Sequence, residues 1–342
     1  MIDYKQSTLV RILKERIAAG AYQEYLPKAE ILAAEFSVNV KTMNKAIGQL
    51  VQQQLVERKR HIGTRILRQE NIARGDQAVE IIFEGFTSPF SHPYWGRIWE
   101  PLLNELLASN FRPVLTMLES DPETGLLNLD ELQLFPATGR IVLGIGEKHL
   151  LDRIAATGIP CICGCDLLDQ SPIAQAAFDF TSGIREAVEF LHSRNCRRIG
   201  FIGQTVNLTG SQQLNKFRAY SHAVQQFCQI NPKLIAHVRP LENQGADAVE
   251  KLLAQETPPD ALISAFDHQL PEILRTLEKH GVCIPVIGCD GLKLPGVPSP
   301  RPAVAVPFDE CGRLLAQKLI HAINIRRKPA STILPARFYS CF

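Results

Sequence analysis

A chain of 342 residues and 38.1 kDa is too long for one hydrophobic core and predicts two or three domains. Hydrophobic residues make up 45% and charged residues 21%, the balance of a folded globular protein, which excludes extensive disorder. The net charge of +2 conceals an asymmetry: residues 1–68 hold twelve Lys/Arg against six Asp/Glu, and the remainder 25 against 29, so only the first part is suited to a polyanion.

In that basic segment Leu9, Ile12, Leu13 and Ile17 fall on one face of a helix, and Gly20 supplies a left-handed stop. Lys28–Phe36 reads as a short second helix with Pro27 at its start, and Ser37-Val38-Asn39 as a tight turn. Val40, Met43, Ile47, Leu50 and Val51 then line one face of a third helix. Its other face offers Lys41, Thr42, Asn44, Lys45, Gln49 and Gln52, polar groups able to reach base edges or phosphates. Leu55–Leu67 reads as a β-hairpin with a basic tip around Arg58, Arg60 and His61. Three helices and a hairpin make an α+β winged helix-turn-helix over residues 1–68, with the third helix in the major groove and the wing across the backbone. Lys28, Lys41, Thr42, Asn44, Lys45, Gln49, Arg58, Arg60, His61 and Thr64 are the expected contacts to double-stranded DNA.

Residues 4–67 resemble the GntR family of bacterial regulators at Leu26-Pro27, Leu32-Ala33, Phe36-Ser37-Val38, Thr42, Lys45-Ala46, Leu50, Leu55-Val56, Arg58 and Gly63-Thr64. The segment departs from that family at Asn39-Val40, usually Ser-Arg, at Asn44, usually Arg, and at His61, usually Gly. Two missing arginines imply weaker phosphate anchoring and a changed base preference.

Residues 69–78 are polar without apolar periodicity and read as a linker. From Val79 to Phe342 strands and helices alternate. Val79–Phe83, Pro113–Met117, Arg140–Gly144 and Pro160–Cys163 read as strands of a first series, with helices at Trp95–Asn110 and Lys148–Thr157. Arg198–Ile202, Ala261–Ser264 and Val286–Gly288 read as strands of a second, with helices at Gly183–Arg194, Leu214–Gln229, Ala246–Gln255 and Leu270–His280. Repeated βα units imply parallel sheets covered by helices, and two series imply two lobes with a ligand crevice at the strands' carboxyl ends.

Residues 160–342 resemble the effector region of the LacI family, itself similar to periplasmic sugar-binding proteins, and residues 79–159 fit its first lobe more weakly. The matching pieces are Ile159-Pro160, Asp179 with Gly183, Ala187–Leu191 leading into Cys196–Gly203, Pro259–Leu262, Val286–Asp290 and Gly312–Ala316. The resemblance implies an α/β two-lobed, type I periplasmic-binding-protein-like domain. Lobe 1 is expected at about 79–178 and 291–327, lobe 2 at about 179–290 and 328–342. A GntR-type reader on a LacI-type sensor is similar to the arabinose-repressor type of hybrid regulator. That implies a DNA-binding transcriptional repressor, a homodimer on a near-palindromic operator, released or retained according to a small polar effector, most simply a sugar.

For the effector, Phe90, Tyr94 and Trp95 follow the first strand at the mouth of lobe 1, where the family places aromatic contacts, and Trp99 reads as core. Phe178 and Asp179 occupy the first crossover, Phe178 replacing a usual Asp. Asp290 matches the carboxylate after the last strand of lobe 2 and can accept two hydroxyl hydrogen bonds. Its replacement by alanine is expected to abolish binding without unfolding. Asp267 matches an Asn-Asp position in which Phe266 replaces the Asn. Lys216 stands where the family has an effector-contacting Arg; either the effector lacks the matching acceptor pair or Arg218 substitutes.

Other chemistry finds little support. Nine cysteines without framework spacing read as reduced thiols, and Cys161, Cys163 and Cys165 as one face of a strand rather than a metal site. Gly144-Ile145-Gly146 lacks the third glycine of a dinucleotide loop, and no nucleophile-elbow, zincin or phosphate-loop motif occurs. No enzyme activity and no cofactor are expected. Without an apolar run of about 18 residues or a signal-peptide core, a cytoplasmic protein with no membrane contact is expected. A reader fused to an enzyme, or a sensor acting through a protein partner with a degenerate DNA module, are the alternatives.

Overall fold

The computed structural model describes residues 6–18, 21–22, 24–52, 55–59, 62–66, 77–84, 92–118, 132–168, 170–205, 214–227, 229–239 and 243–342. The chain divides into two compact units, Met1–Gln77 and Ala78–Phe342. The expected linker falls almost wholly outside the described residues.

The first unit is a small winged helix. Helix α1 (Gln6–Ala18) buries Leu9, Leu13 and Ile17 against α3 (Val40–Gln52), which contributes Met43, Ala46, Ile47 and Leu50. Between them α2 (Ala29–Glu35) adds Leu32 and Ala33. Pro27, expected inside the first turn of α2, lies before its cap, Lys28. Helix α2 ends where Ser37 takes a left-handed φ of 53° and the Val38 amide donates to the Ala33 carbonyl at 2.9 Å. Val40, expected on the buried face of α3, is exposed in its first turn. The expected hairpin is β2 (Val56–Lys59) against β3 (Gly63–Ile66), and β1 (Tyr25–Leu26) adds a third antiparallel strand on the far side of β3.

The second unit holds two six-stranded sheets. The first has the order β14-β8-β7-β6-β4-β5, built from β4 (Gln77–Glu84), β5 (Phe111–Leu118), β6 (Gly139–Leu143), β7 (Cys161–Asp166), β8 (Ala174–Asp179) and β14 (Thr332–Pro335). Its pairs from β4 through β14 are parallel. The second has the order β10-β9-β11-β12-β13-β15, from β9 (Ile199–Gly203), β10 (Ile235–His237), β11 (Ala261–Ser264), β12 (Val286–Gly288), β13 (Ala303–Ala305) and β15 (Arg337–Tyr339). All of its pairs are parallel except β13 with β15. Central strands such as Gly139–Leu143 and Ile199–Gly203 are buried at every position, the mark of sheets covered on both faces.

The chain passes between the sheets three times: after Asp179 into α6 (Thr181–Ser193), after Ala305 into α10 (Phe308–Ile325), and between Pro335 and Arg337. This corrects the expected division of the tail. Ala303–Ala305 belongs to the second sheet, not to lobe 1, and Thr332–Pro335 to the first, not to lobe 2, because backbone pairing with Gly288 and with Ala176–Asp179 decides membership. The remaining helices are α4 (Pro93–Ala108), α5 (Lys148–Ala155), α7 (Asn215–Gln225), α8 (Gly245–Leu253) and α9 (Leu270–Lys279). At the start of the first sheet, neighbouring Glu80 and Arg140 form a buried ion pair at 2.7 Å. Thr116, Phe135 and Thr157 satisfy its other atoms.

Candidate functional site

In the first unit, α3 turns its apolar stripe inward, and its helical period therefore turns Lys41 and Lys45 into solvent with Thr42, Asn44 and Gln49 half-buried beside them. Asn39 holds the start of this helix, its Oδ1 accepting from the Lys41 amide at 2.7 Å. Across the wing, Arg58 on β2 donates to Asn44 Oδ1 at 2.8 Å and to the Asn44 carbonyl at 3.4 Å. The arginine thus ties the wing to α3 and occupies the Asn44 oxygen. Thr64 faces Arg58 in the strand register, and Lys28 is exposed at the head of α2. Arg60, His61 and Phe90 lie outside the described residues.

In the second unit, residues from both lobes meet at the carboxyl ends of the strands. Lys216 Nζ donates to Asp290 Oδ1 at 2.6 Å and to the Ala265 carbonyl at 2.7 Å. Three rings surround this ammonium, with centroids at 4.6 Å for Phe180, 5.3 Å for Phe266 and 5.9 Å for Tyr94. The second oxygen of Asp290 accepts from the Asp267 amide at 2.8 Å, while Asp267 Oδ1 accepts from the Asp290 amide at 3.1 Å. Asp267 Oδ2 takes the Leu292 amide and the Arg301 guanidinium, at 2.8 and 2.9 Å. Burial and the Asp290 charge push the Asp267 carboxyl up to about 6, against the pull of Arg301 and the two amides. Two cations and two carboxylates leave this cluster with no net charge. The fit is tight enough that a Cβ on Gly288 would lie 2.1 Å from Asp267 Oδ1.

At the rim His92 of the first lobe meets His268 of the second, ring centroids 5.4 Å apart and edge to face. His92 Nδ1 accepts from the Tyr94 amide at 3.3 Å and caps α4, so the tautomer with hydrogen on Nε2 suits it. Burial lowers its pKa, with the Asp290 charge opposing. His268 in turn stacks on Phe266, at 5.8 Å and 28°.

Several expected contacts are corrected by this geometry. Phe178 is fully buried between Phe180 and Phe308 and presents nothing to a cleft. Trp95 packs edge to face on Phe83 in the lobe 1 core, its indole filling the space a side chain on Gly144 would need; Trp99 is core as well. Asp179 is half-buried at the end of β8, where its Oδ1 accepts from the Thr181 amide at 2.9 Å just before α6. Asp267 is a bracket behind the site, fully buried and taken up by three donors from the protein, the Asp290 and Leu292 amides and Arg301. Arg218, two residues past Lys216, is exposed on the other side of α7. The expected residues that do come together are Tyr94, Lys216 and Asp290, with Asp267 behind Asp290. Phe180, Phe266, His92, His268 and Arg301 join them without having been singled out. The only signal for any of these in the sequence is Phe266 replacing an Asn.

Cys161 and Cys163 are buried, with burial holding both thiols above the usual range, Cys163 at about 11. Among the described residues no group of three or more His, Cys, Asp or Glu could hold a metal ion, and no helix is long and apolar enough to cross a membrane.

Comparison with known proteins agrees with this division. Residues 5–66 match the model for bacterial regulatory proteins of the gntR family, and residues 188–339 match that of the periplasmic binding protein-like domain. No curated protein matches significantly. Among solved structures, a transcriptional regulator LacI from Bacillus cereus subsp. cytotoxis NVH 391-98 shares 18% identity at a TM-score of 0.67, over 78% of this chain and 97% of that one. The transcriptional regulator CelR in complex with cellobiose shares 17% at 0.63, over 92% and 99%. The lac repressor dimer bound to operator and the anti-inducer ONPF shares 16% at 0.67, over 80% and 96%. At these identities the likeness establishes the fold. The chain therefore joins a module matching the gntR-family model to a unit with the periplasmic-binding-protein-like fold shared by LacI-type regulators.

Proposed function

We propose that this protein is a homodimeric transcriptional repressor that reads a near-palindromic operator through α3 and the wing, and is controlled by an uncharged sugar held between the lobes. The observation carrying the effector reading is the Lys216–Asp290 pair among three ring faces, with Tyr94 supplied by one lobe and Lys216, Phe266 and Asp290 by the other. A sugar offers adjacent hydroxyls to a charged donor and acceptor, and flat C–H faces to aromatic rings. The balanced charge of Lys216, Asp290, Asp267 and Arg301 offers no surplus cation to a carboxylate or phosphate. The cellobiose bound by CelR and the operator-bound dimer of the lac repressor support the same assignment. An effector bridging the lobes shifts the regulator by binding one lobe arrangement better than the other. Two copies place two reading helices about one helical turn of DNA apart.

Thermal unfolding of the full chain against monosaccharides, disaccharides, pentoses, nucleosides, sugar phosphates and sugar acids tests this. A neutral sugar present at about 100 times its dissociation constant adds about 2.7 kcal/mol of stability, and that sugar changes retention of operator DNA in a gel. Stabilisation by a phosphorylated or carboxylated compound alone overturns the reading.

A further inference from the structure

The third helix, α3, carries a glycine at its centre that nothing among the described residues explains. Glycine is the least favourable helix-interior residue after proline, so its presence there asks for a reason. Three other helical glycines have one. A Cβ on Gly183 would lie 2.8 Å from the Ala336 carbonyl oxygen, one on Gly245 2.7 Å from that of Gln269, and one on Gly312 2.4 Å from that of Ile98. Each lets a backbone come close. At Gly48 of α3 a Cβ would meet nothing within 4 Å, and its φ is not left-handed. Neither packing nor backbone conformation requires glycine.

The space lies on the outer face. Lys45 stands one turn before Gly48 and Lys41 two turns before, both exposed, and helical spacing puts all three on one stripe. Gln49 flanks the gap and Asn44, fixed by Arg58, lies a turn behind.

We infer that Gly48 determines operator specificity: the missing Cβ lets α3 seat deeply enough in the major groove for a base edge to touch the helix backbone. The two lysines hold phosphates on either side and set the depth. A side chain at position 48 lifts the helix away from the bases while leaving those long, flexible phosphate contacts intact. This rests on the module reading DNA, and the test separates the two claims.

The full-length protein selects its operator from a randomised duplex library, and affinities are measured for that duplex and for a scrambled one of equal length. Gly48→Ala is expected to raise Tm, since alanine is the better helix former. It is expected to weaken binding to the selected duplex about tenfold, the loss that one mismatched base pair brings. Binding to the scrambled duplex stays within about twofold. Gly48→Leu widens the difference. A lowered Tm overturns the inference, because the glycine then serves the fold. So does an equal loss on both duplexes, or no loss on either. If the wild-type protein selects no duplex, the DNA-reading assignment itself fails and the inference with it.

Discussion

The outward face of α3 and the Lys216–Asp290 cluster use the same kinds of side chain in opposite surroundings. On that face Lys41 and Lys45 stand in water, and a nearby pair such as Arg16–Glu35 is itself about two-fifths exposed. Exposed pairs of that kind contribute at most about 1 kcal/mol. In the cluster Lys216 and Asp290 are nearly sealed, with side-chain exposures of 7% and 2%. There each charge has been taken out of water and depends on its partner. The first arrangement lets function be tuned residue by residue without touching the fold. The second makes the proposed ligand site and the fold share their groups.

The largest test of that contrast is Asp290→Ala. It strands the Lys216 ammonium and the Asp267 amide, and is expected to cost about 3–5 kcal/mol in urea unfolding. This replaces the expectation from sequence that the same change spares the fold, because both carboxylate oxygens prove to be engaged. A loss below about 1 kcal/mol breaks the contrast. Lys45→Ala is the counterpart on α3. Its stability is expected to stay within about 0.5 kcal/mol, while affinity falls on all duplexes and the salt slope drops by about one. A stability loss as large as that of Asp290→Ala would erase the distinction.

The smallest effect concerns the rim. Because burial lowers the His92 pKa below the usual 6.5, the unfolded chain takes up that proton first. The stability His92 contributes is thus present above about pH 6.5 and lost as pH falls through its lowered folded value. Asp267, raised to about 6, acts in the other sense: its contribution is present at low pH and lost as pH rises between about 4 and 6. His92→Asn keeps a capping oxygen for the Tyr94 amide and removes the titration. The loss of stability between about pH 7 and 5.5 is expected to shrink in this variant, by chemical denaturation. An unchanged loss assigns the pH response elsewhere.

The winged helix was legible because its elements are local: the periodicity of Met43, Ile47 and Leu50 places the outward face of α3 without knowledge of any partner. The strand alternation that buries Cys161 and Cys163 together is local too. The tail was not legible in this way. Ala303–Ala305 and Arg337–Tyr339 are three residues each, too short to show a period, and their sheet is set by partners distant in sequence. Asp290 and Lys216 were found through family resemblance, yet their mutual bond was not, since it depends on α7 and the end of β12 converging.

Sequence by itself determined a basic helical head, a run of alternating strands and helices, and the residue types available for a polar ligand. Tertiary structure alone decided that Phe178 and Trp95 serve the core, that Asp267 braces Asp290, and that Phe180, Phe266 and Tyr94 converge on one ammonium. Periodicity records which face of an element is apolar. Which buried charge finds which partner is a matter of the three-dimensional crossing of strands, and desolvation permits only the arrangements in which every charge is met.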